Sequence, residues 1–419
     1  WETRLLQDGP WHGETAPTEF DRLILRAGNN RSWARSWNPD RTAYTMDEWY
    51  RSTQIAMTGY GARGNFVHLY INGLYWGLYN ATERPDRWFT SEHFGGDVES
   101  WFAISHGGDQ GGEKARWSAL LGTIAREDLT DPDAYTALTE HLDVAGLIDY
   151  LLLSWYINLT DWPQNNWWAG LRNEPPGIAR FFAWDGEWSF GLGQSPGRAW
   201  VHPDFRSNVN SGNAPCALLW HAARKNEDFM MLVADRAHKH LLASGGALTD
   251  AIAKERWQLL NTFVREGILA ESARWGDALS PNQPRTLEKD WQGEVDRVDA
   301  LLEGNGTLLI EAMIDESYYP TVDPPVFDLE SGRVPPGSAL SLENPNASSE
   351  IYFTTDGSDP RAPAGAVGEN ALSYSQPIQL DKSVAINARV LKSSIFGGST
   401  WSALGSATYI TALPALRIS

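Results

Sequence analysis

The sequence predicts an α+β chain in two parts: a mixed helix-and-sheet region over residues 1–318 and an all-β region over 326–419, joined by a linker at 319–325. Three observations carry that division. Apolar residues recur at helical spacing in long blocks up to Glu303, and strand-like runs lie between those blocks. The linker, Tyr319-Pro320-Thr321-Val322-Asp323-Pro324-Pro325, is too rich in proline to continue a helix. Beyond it, short β-rich runs separated by turn signals roughly every 8–12 residues read as a β-sandwich.

Taken in order, residues 1–20 are rich in Gly, Pro and Trp and read as irregular. Arg22 to Ala27 is a short strand, followed by a polar loop to Ser32. Asp40 to Ala56 places Tyr44, Met46, Trp49 and Ile55 at helical spacing, with Asp47 and Glu48 in an early turn. Asn65 to Asn80 is β-rich and split by Asn72-Gly73, the strongest short-range hairpin signal. Its second strand delivers Glu83 and Arg84 to a loop, where they read as a surface ion pair or as ligand-facing groups. The run His106-Gly107-Gly108-Asp109-Gln110-Gly111-Gly112 matches neither phosphate-binding glycine pattern and reads as a flexible connector. Glu113 to Arg126 and Asp133 to Tyr156 read as helices. In the latter, Leu147, Ile148, Leu151, Leu152 and Trp155 form the buried face, and Asp149 reads as a cap or surface group. Residues 192–214 form a long loop of the kind that serves as a lid. Ala217 to Ala243 and Thr249 to Glu303 are helical, broken at Gly245-Gly246 and Ser280-Pro281-Asn282.

Composition narrows the function. A net charge of −19 and a pI near 4.9 repel phosphate backbones and anionic lipid, which argues against nucleic-acid partners. No apolar run approaches the ~20 residues of a membrane span. Cys216 is the single cysteine, so no disulfide forms within the chain. The 21 tryptophans build large cores or line ligand surfaces, and core packing is expected for most. The chain opens at Trp1 rather than Met and is expected to be a processed or trimmed form.

The chemistry-bearing stretch is Ser154 to Gly191. Asp161 is followed at the fifth position by Asn166. Asn173-Glu174-Pro175-Pro176-Gly177 reads as a turn, and the strand Ile178 to Trp184 ends in Asp185-Gly186-Glu187. A carboxylate that orients an attacking hydroxyl, an amide five residues on and a carboxylate after the next strand suit metal-assisted phosphoryl transfer. The plainer alternative is that Asp161 caps a turn and Asp185 starts one.

Several stretches resemble the spore-coat protein H (CotH) kinase family over roughly residues 15–315. They are Leu23-Ile24-Leu25-Arg26-Ala27-Gly28, the hairpin Phe66 to Tyr79 with Thr82-Glu83-Arg84-Pro85-Asp86, and the Asp161/Asn166 loop with Trp184 to Gly191. The resemblance implies an atypical protein-kinase-like, two-lobed domain using ATP and Mg2+ on a secreted or bacterial cell-surface protein. Asp161 would be catalytic, Asn166, Asp185 and Glu187 would hold metal, and Glu83 and Arg84 would face the nucleotide phosphates. Arg198, His202 and Arg206 would be substrate-side groups in the long loop. Relatives carry Lys where Arg84 stands and Asp where Glu187 stands. They also carry a Pro-Lys-Lys-Ser-like phosphate anchor upstream of Leu23, so the small lobe is expected to lack its N-terminal part here. Ile351 to Arg361, with Pro377 to Leu380, Ile386 to Arg389 and Trp401-Ser402, resembles the chitobiase/β-hexosaminidase C-terminal Ig-like module, a spacer or docking unit. Two alternatives stay open: a non-catalytic kinase-like surface module binding protein or glycan, and a glycoside hydrolase using Asp161 with Asp185 or Glu187.

Overall fold

The computed structural model describes residues 5–6, 19–20, 22–33, 41–109, 111, 114–174, 177–191, 214–278, 280–394 and 397–411. The expected lid with Arg198, His202 and Arg206, and the Pro175-Pro176 part of the predicted turn, lie outside these residues. The chain divides into two compact units, residues 1–223 with 247–309, and residues 224–246 with 310–419.

The helices are α1 (Met46–Thr58), α2 (Arg87–Phe94), α3 (Ala115–Gly122), α4 (Pro132–Thr139), α5 (Val144–Tyr156), α6 (Pro215–Ala223), α7 (Glu227–Ala237), α8 (Asp250–Glu271), α9 (Gln292–Leu302) and α10 (Asn305–Asp315). None among the described residues is long and apolar enough to cross a membrane. In the first unit, β1 (Leu5–Leu6) pairs with β2 (Glu19–Phe20). β3 (Leu23–Arg26), β4 (Gly64–Ile71) and β5 (Leu74–Glu83) form an antiparallel sheet in the order β3-β5-β4. The β4–β5 turn is the predicted one. Asn72 at φ 51° and Gly73 at φ 81° take the left-handed pair that a two-residue hairpin requires. A second sheet runs β7 (Gly108–Asp109), β6 (Trp101–Ser105), β8 (Trp167–Arg172), β9 (Arg180–Ala183).

Helix α1 joins the two sheets. Alternate residues of β5, Asn80 and Thr82, meet Arg51 of α1 at 2.6 and 3.1 Å. Gln54 completes the free edge of β9, donating to the Phe181 carbonyl and accepting from the Ala183 N–H, both at 2.8 Å. Behind β8 and β9, α5 is buried along nearly its whole length, and Asp143 caps it by accepting the Gly146 N–H at 2.9 Å.

Four expectations change. The predicted helix from Asp133 to Tyr156 is two helices, because Asp143 starts a new cap and Leu142 bridges to Ala179. Asp149 is buried at 2% exposure on α5 rather than a cap or surface group. The predicted helix from Asp40 begins at Met46 and runs to Thr58. The first part of the glycine-rich run is a hairpin rather than a connector: Gly108–Asp109 pairs antiparallel with Ile104–Ser105, so His106-Gly107 is its tip, while Gln110 and Gly112 lie outside the described residues. As expected, most tryptophans pack inward: Trp49, Trp155, Trp220, Trp257 and Trp291 are wholly enclosed.

The second unit is β-rich. β11 (Gly332–Arg333), β19 (Gly405–Ile410), β17 (Val384–Ser393), β14 (Glu350–Thr354) and β15 (Leu372–Ser373) form one sheet in that order, with β18 (Ser399–Trp401) also on β17. Two pairs stand apart, β10 (Val326–Phe327) with β13 (Leu342–Glu343) and β12 (Ser338–Leu340) with β16 (Ile378–Leu380). Ile351, Phe353, Ile386, Ala388, Val390 and Tyr409 are core. Arg389 points away from that core, fully buried between Asp235 of α7 and Asp359, at 2.6 Å from each. That pair of contacts ties α7 to this unit.

Candidate active site

The site begins where β9 ends. After Trp184 the chain turns through Asp185 at φ 59°, a left-handed conformation that a non-glycine residue adopts only when its surroundings hold it there. Gly186 follows because nothing larger fits: a Cβ there would stand 2.7 Å from that of Tyr50. Its N–H donates to Asp47 of α1 at 3.0 Å.

Arg26, the last residue of β3, reaches into this turn. Its Nη2 lies 2.7 Å from Asp185 Oδ1 and 3.2 Å from Glu187 Oε1, and its Nε lies 3.2 Å from Asp47. The guanidinium also covers the Trp184 ring at 4.7 Å. Burial opposes its charge, but the three carboxylates outweigh burial and push its pKa up. Burial raises the Asp185 pKa; Arg26 pulls it down and Asp47 pushes it up, leaving it raised. Burial and the Asp185 charge likewise raise Glu187, although Arg26 and the Asn30 N–H favour its carboxylate.

Asp161 arrives from the loop after α5, which is stitched to the same turn. Thr160 N–H donates to the Trp188 carbonyl at 2.9 Å, and Phe190 N–H to the Ile157 carbonyl at 2.8 Å. Burial pushes the Asp161 carboxyl up to about 6; the Asn166 amide favours its charged form, and the Asp185 charge opposes it. Asp161 Oδ1 and Asn166 Nδ2 are nevertheless buried without a partner of hydrogen-bonding geometry among the described residues. Asn166 is also left-handed, at φ 60°. Its N–H points to His106 Nδ1 at 3.2 Å, which places the ring proton of neutral His106 on Nε2.

A buried clamp holds the turn from behind. Arg31 donates from Nε to the Glu187 carbonyl at 2.7 Å and from Nη2 to the Ser189 carbonyl. Arg297 donates to the Phe190 carbonyl at 2.9 Å. Glu294 binds both arginines, at 2.5 Å to Arg31 Nη1 and 2.6 Å to Arg297 Nε. Burial lowers the Arg31 pKa to about 10 against the pull of Glu294, so it remains charged at neutral pH.

Asp161 lies near enough to Asn166 and Asp185 for both to shift its carboxyl, and Arg26 links Asp185 to Glu187. Glu83 is engaged elsewhere: it accepts the Arg63 N–H at 2.8 Å and faces His93 Nε2 at 3.0 Å. Arg84 lies 5.5 Å from the Trp168 ring with its Nε buried and unpartnered among the described residues. Trp168 and Trp184 meet edge to face at 6.4 Å, so Arg84 and Arg26 flank one aromatic pair. Sequence reasoning missed Arg26, Asp47 and His106 as parts of the site. An arginine ending an apolar strand run was the available signal for Arg26. Among the described residues no three His, Cys, Asp or Glu side chains surround one metal-sized point. Asp161, Asn166 and Asp185 offer hard oxygen donors, the donor type that Mg2+ takes.

The family model described as CotH kinase protein matches residues 55–303, a span that holds Asp161, Asn166, Asp185 and Glu187. One described as Fn3 associated matches residues 340–400, inside the second unit. No curated protein matches the chain.

Proposed function

The chain belongs to the CotH kinase family, whose model covers residues 55–303 of 419, and from that premise we propose an ATP- and Mg2+-dependent phosphotransferase of protein-kinase-like fold. The observation that carries this reading is a charge mismatch. In the ion-pair network of α1, β3 and the Asp185 turn, Asp47, Glu48, Asp185 and Glu187 share two guanidiniums, Arg26 and Arg51. That leaves an excess of two carboxylates over guanidiniums, with Asp47, Glu48 and Glu187 buried and Asp185 partly exposed. Beside them, buried Asp161 and Asn166 atoms lack a hydrogen-bonding partner among the described residues, and the combination suits a divalent cation.

In this reading Asn166 and Asp185 hold the cation, and Glu187 assists from beside Arg26. A bound Mg2+ would supply charge neutralisation for the transferred phosphoryl group. Asp161 would accept the proton of the acceptor hydroxyl as its oxygen bonds to the γ-phosphorus of ATP and the bond from that phosphorus to the bridging oxygen breaks, with ADP as the leaving group. A pKa near 6 leaves Asp161 mostly ionised at neutral pH and close enough to it to act as a base. Arg84 and Arg26 face phosphate oxygens, offsetting the repulsion of an acidic protein. Glu83 positions rather than binds, through Arg63 and His93. The acceptor is a secreted or bacterial cell-surface protein, and the region after the linker at 319–325 is an Ig-like, chitobiase-type docking module.

A second reading is favoured by Arg26 itself, whose guanidinium already bridges Asp185 and Glu187. It makes the unit a non-catalytic, kinase-like module that binds protein or glycan. Isothermal titration of ATP with Mg2+ separates the two. The enzymatic reading expects saturable heat for the full chain and at least a tenfold loss in Asp185→Ala; no heat from the unmodified chain removes it.

A further inference from the structure

On the far side of Arg26, Ala27 opens onto a cavity of about 260 Å3 that the phosphotransfer reading leaves without a role. Its walls are aromatic: Trp33, Tyr44, Trp76, Tyr79 and Trp275 line it with Glu271. The rings form two edge-to-face pairs, Trp33–Tyr44 at 6.0 Å and Trp76–Trp275 at 5.4 Å. The cavity exists because β3 is short. Beyond its pairing with Asn80–Glu83, the edge of β5 is covered instead by the end of α8 and the turn after it. Trp275 Nε1 donates to the Trp76 carbonyl at 2.7 Å, and Arg274 Nε to the Tyr75 carbonyl at 3.2 Å. Gly77 is required there, since a Cβ would come within 2.6 Å of Glu271 Oε1.

Glu271 is the unusual member. It is 5% exposed, accepts the Leu78 N–H on Oε1 and the Tyr44 hydroxyl at 3.1 Å on Oε2, and has no ion-pair partner among the described residues. Two neutral donors leave lone pairs of the carboxylate open. Burial favours the protonated acid, the Leu78 N–H and the Tyr44 hydroxyl favour the carboxylate, and a cation in the cavity would favour the carboxylate further. Arg274 forms no ion pair with Glu271 among the described residues: it stacks on Trp275 at 3.9 Å and lies 5.8 Å from the Trp76 ring, outside the cavity lining.

We propose that this cavity binds a small organic ammonium ion, its methylated head held by cation–π contact with the Trp and Tyr rings and its charge matched by Glu271. Ring faces attract such ions because of their negative quadrupole, and desolvation strengthens the attraction. The size sets the class. Pockets for drug-sized ligands run about 300–1,000 Å3, so this one takes a headgroup rather than a nucleotide or an oligosaccharide.

The test is calorimetric titration of the full chain with choline chloride and, in parallel, with 3,3-dimethyl-1-butanol, which replaces the ammonium nitrogen by carbon. The expected result is saturable choline binding at least tenfold tighter than the neutral isostere, lost at least tenfold in Glu271→Gln. Trp76, 37% exposed and joined to Trp275 through its own carbonyl, provides a second variant should Glu271→Gln fail to fold. Trp76→Ala is expected to weaken choline at least threefold. Co-sedimentation with phosphatidylcholine vesicles, competed by free choline, assigns the head to a lipid; choline saturation without sedimentation assigns it to a free ammonium compound. Equal affinity for the two probes, or no saturable binding of choline, overturns the proposal.

Discussion

Two arginines share Asp47 Oδ2, and they are in different situations. Arg51 is sealed in: Asp47 at 3.0 Å, Glu48 at 2.7 Å, Asn80 at 2.6 Å, Thr82 at 3.1 Å and the Ala62 carbonyl at 2.9 Å surround it. Arg26 faces Asp47, Asp185 and Glu187 and the Trp184 ring, with Asp185 28% exposed. The first knot is satisfied from within and fixes α1 against β5. The second carries surplus negative charge at an open turn, and surplus buried charge is the mark of a site that expects a visitor.

If the open knot is the functional one, the largest effect falls on its neighbour. Asp161→Asn should cut phosphotransfer by about 10²–10⁴-fold while leaving the urea midpoint of unfolding nearly unchanged. The unmodified protein's kcat/KM should rise with pH through about 6, where the Asp161 carboxyl titrates, and the variant should lose that limb. A steady-state pH profile checks both.

The sealed knot should respond in the opposite way. Arg51→Met strips Asp47 and Glu48 of their shared partner, which should cost about 3–5 kcal/mol, read as a lowered denaturation midpoint. An equal loss from Arg26→Met, with nucleotide binding intact, would erase the contrast drawn between the two.

A smaller effect sharpens it. Asp185 and Glu187 have folded-state pKa values above their unfolded ones. The folded chain therefore holds protons more tightly, and that stabilisation is present at low pH and lost as pH rises through the folded values. Without metal, stability should decline upward from about pH 4. Asp185→Asn should flatten that decline and raise stability at pH 7 by about 0.5–2 kcal/mol, even as it abolishes function. Thermal unfolding across pH in chelator decides it.

The elements with local signals were legible in the sequence. Asn72-Gly73 encodes its own turn, and the spacing of Asp161, Asn166 and Asp185 singled out groups close enough for Asn166 and Asp185 to shift the Asp161 carboxyl. What the sequence hid was long-range. Arg26 reaches Asp185 across 159 positions, and Arg31 reaches Glu294 across 263. His106 was hidden by composition, because β7 is only two residues long and its pairing with β6 leaves no periodic trace. Asp149 was misplaced because a polar residue on an apolar helix reads as surface, whereas α5 is buried on nearly every side.

Electron paramagnetic resonance of Mn2+, standing in for Mg2+, tests the surplus-charge claim most directly. With a non-hydrolysable ATP analogue present, the free-Mn2+ signal should fall stoichiometrically on adding the protein and recover in Asp185→Asn. Equal depletion by both proteins, or by neither, would contradict the account.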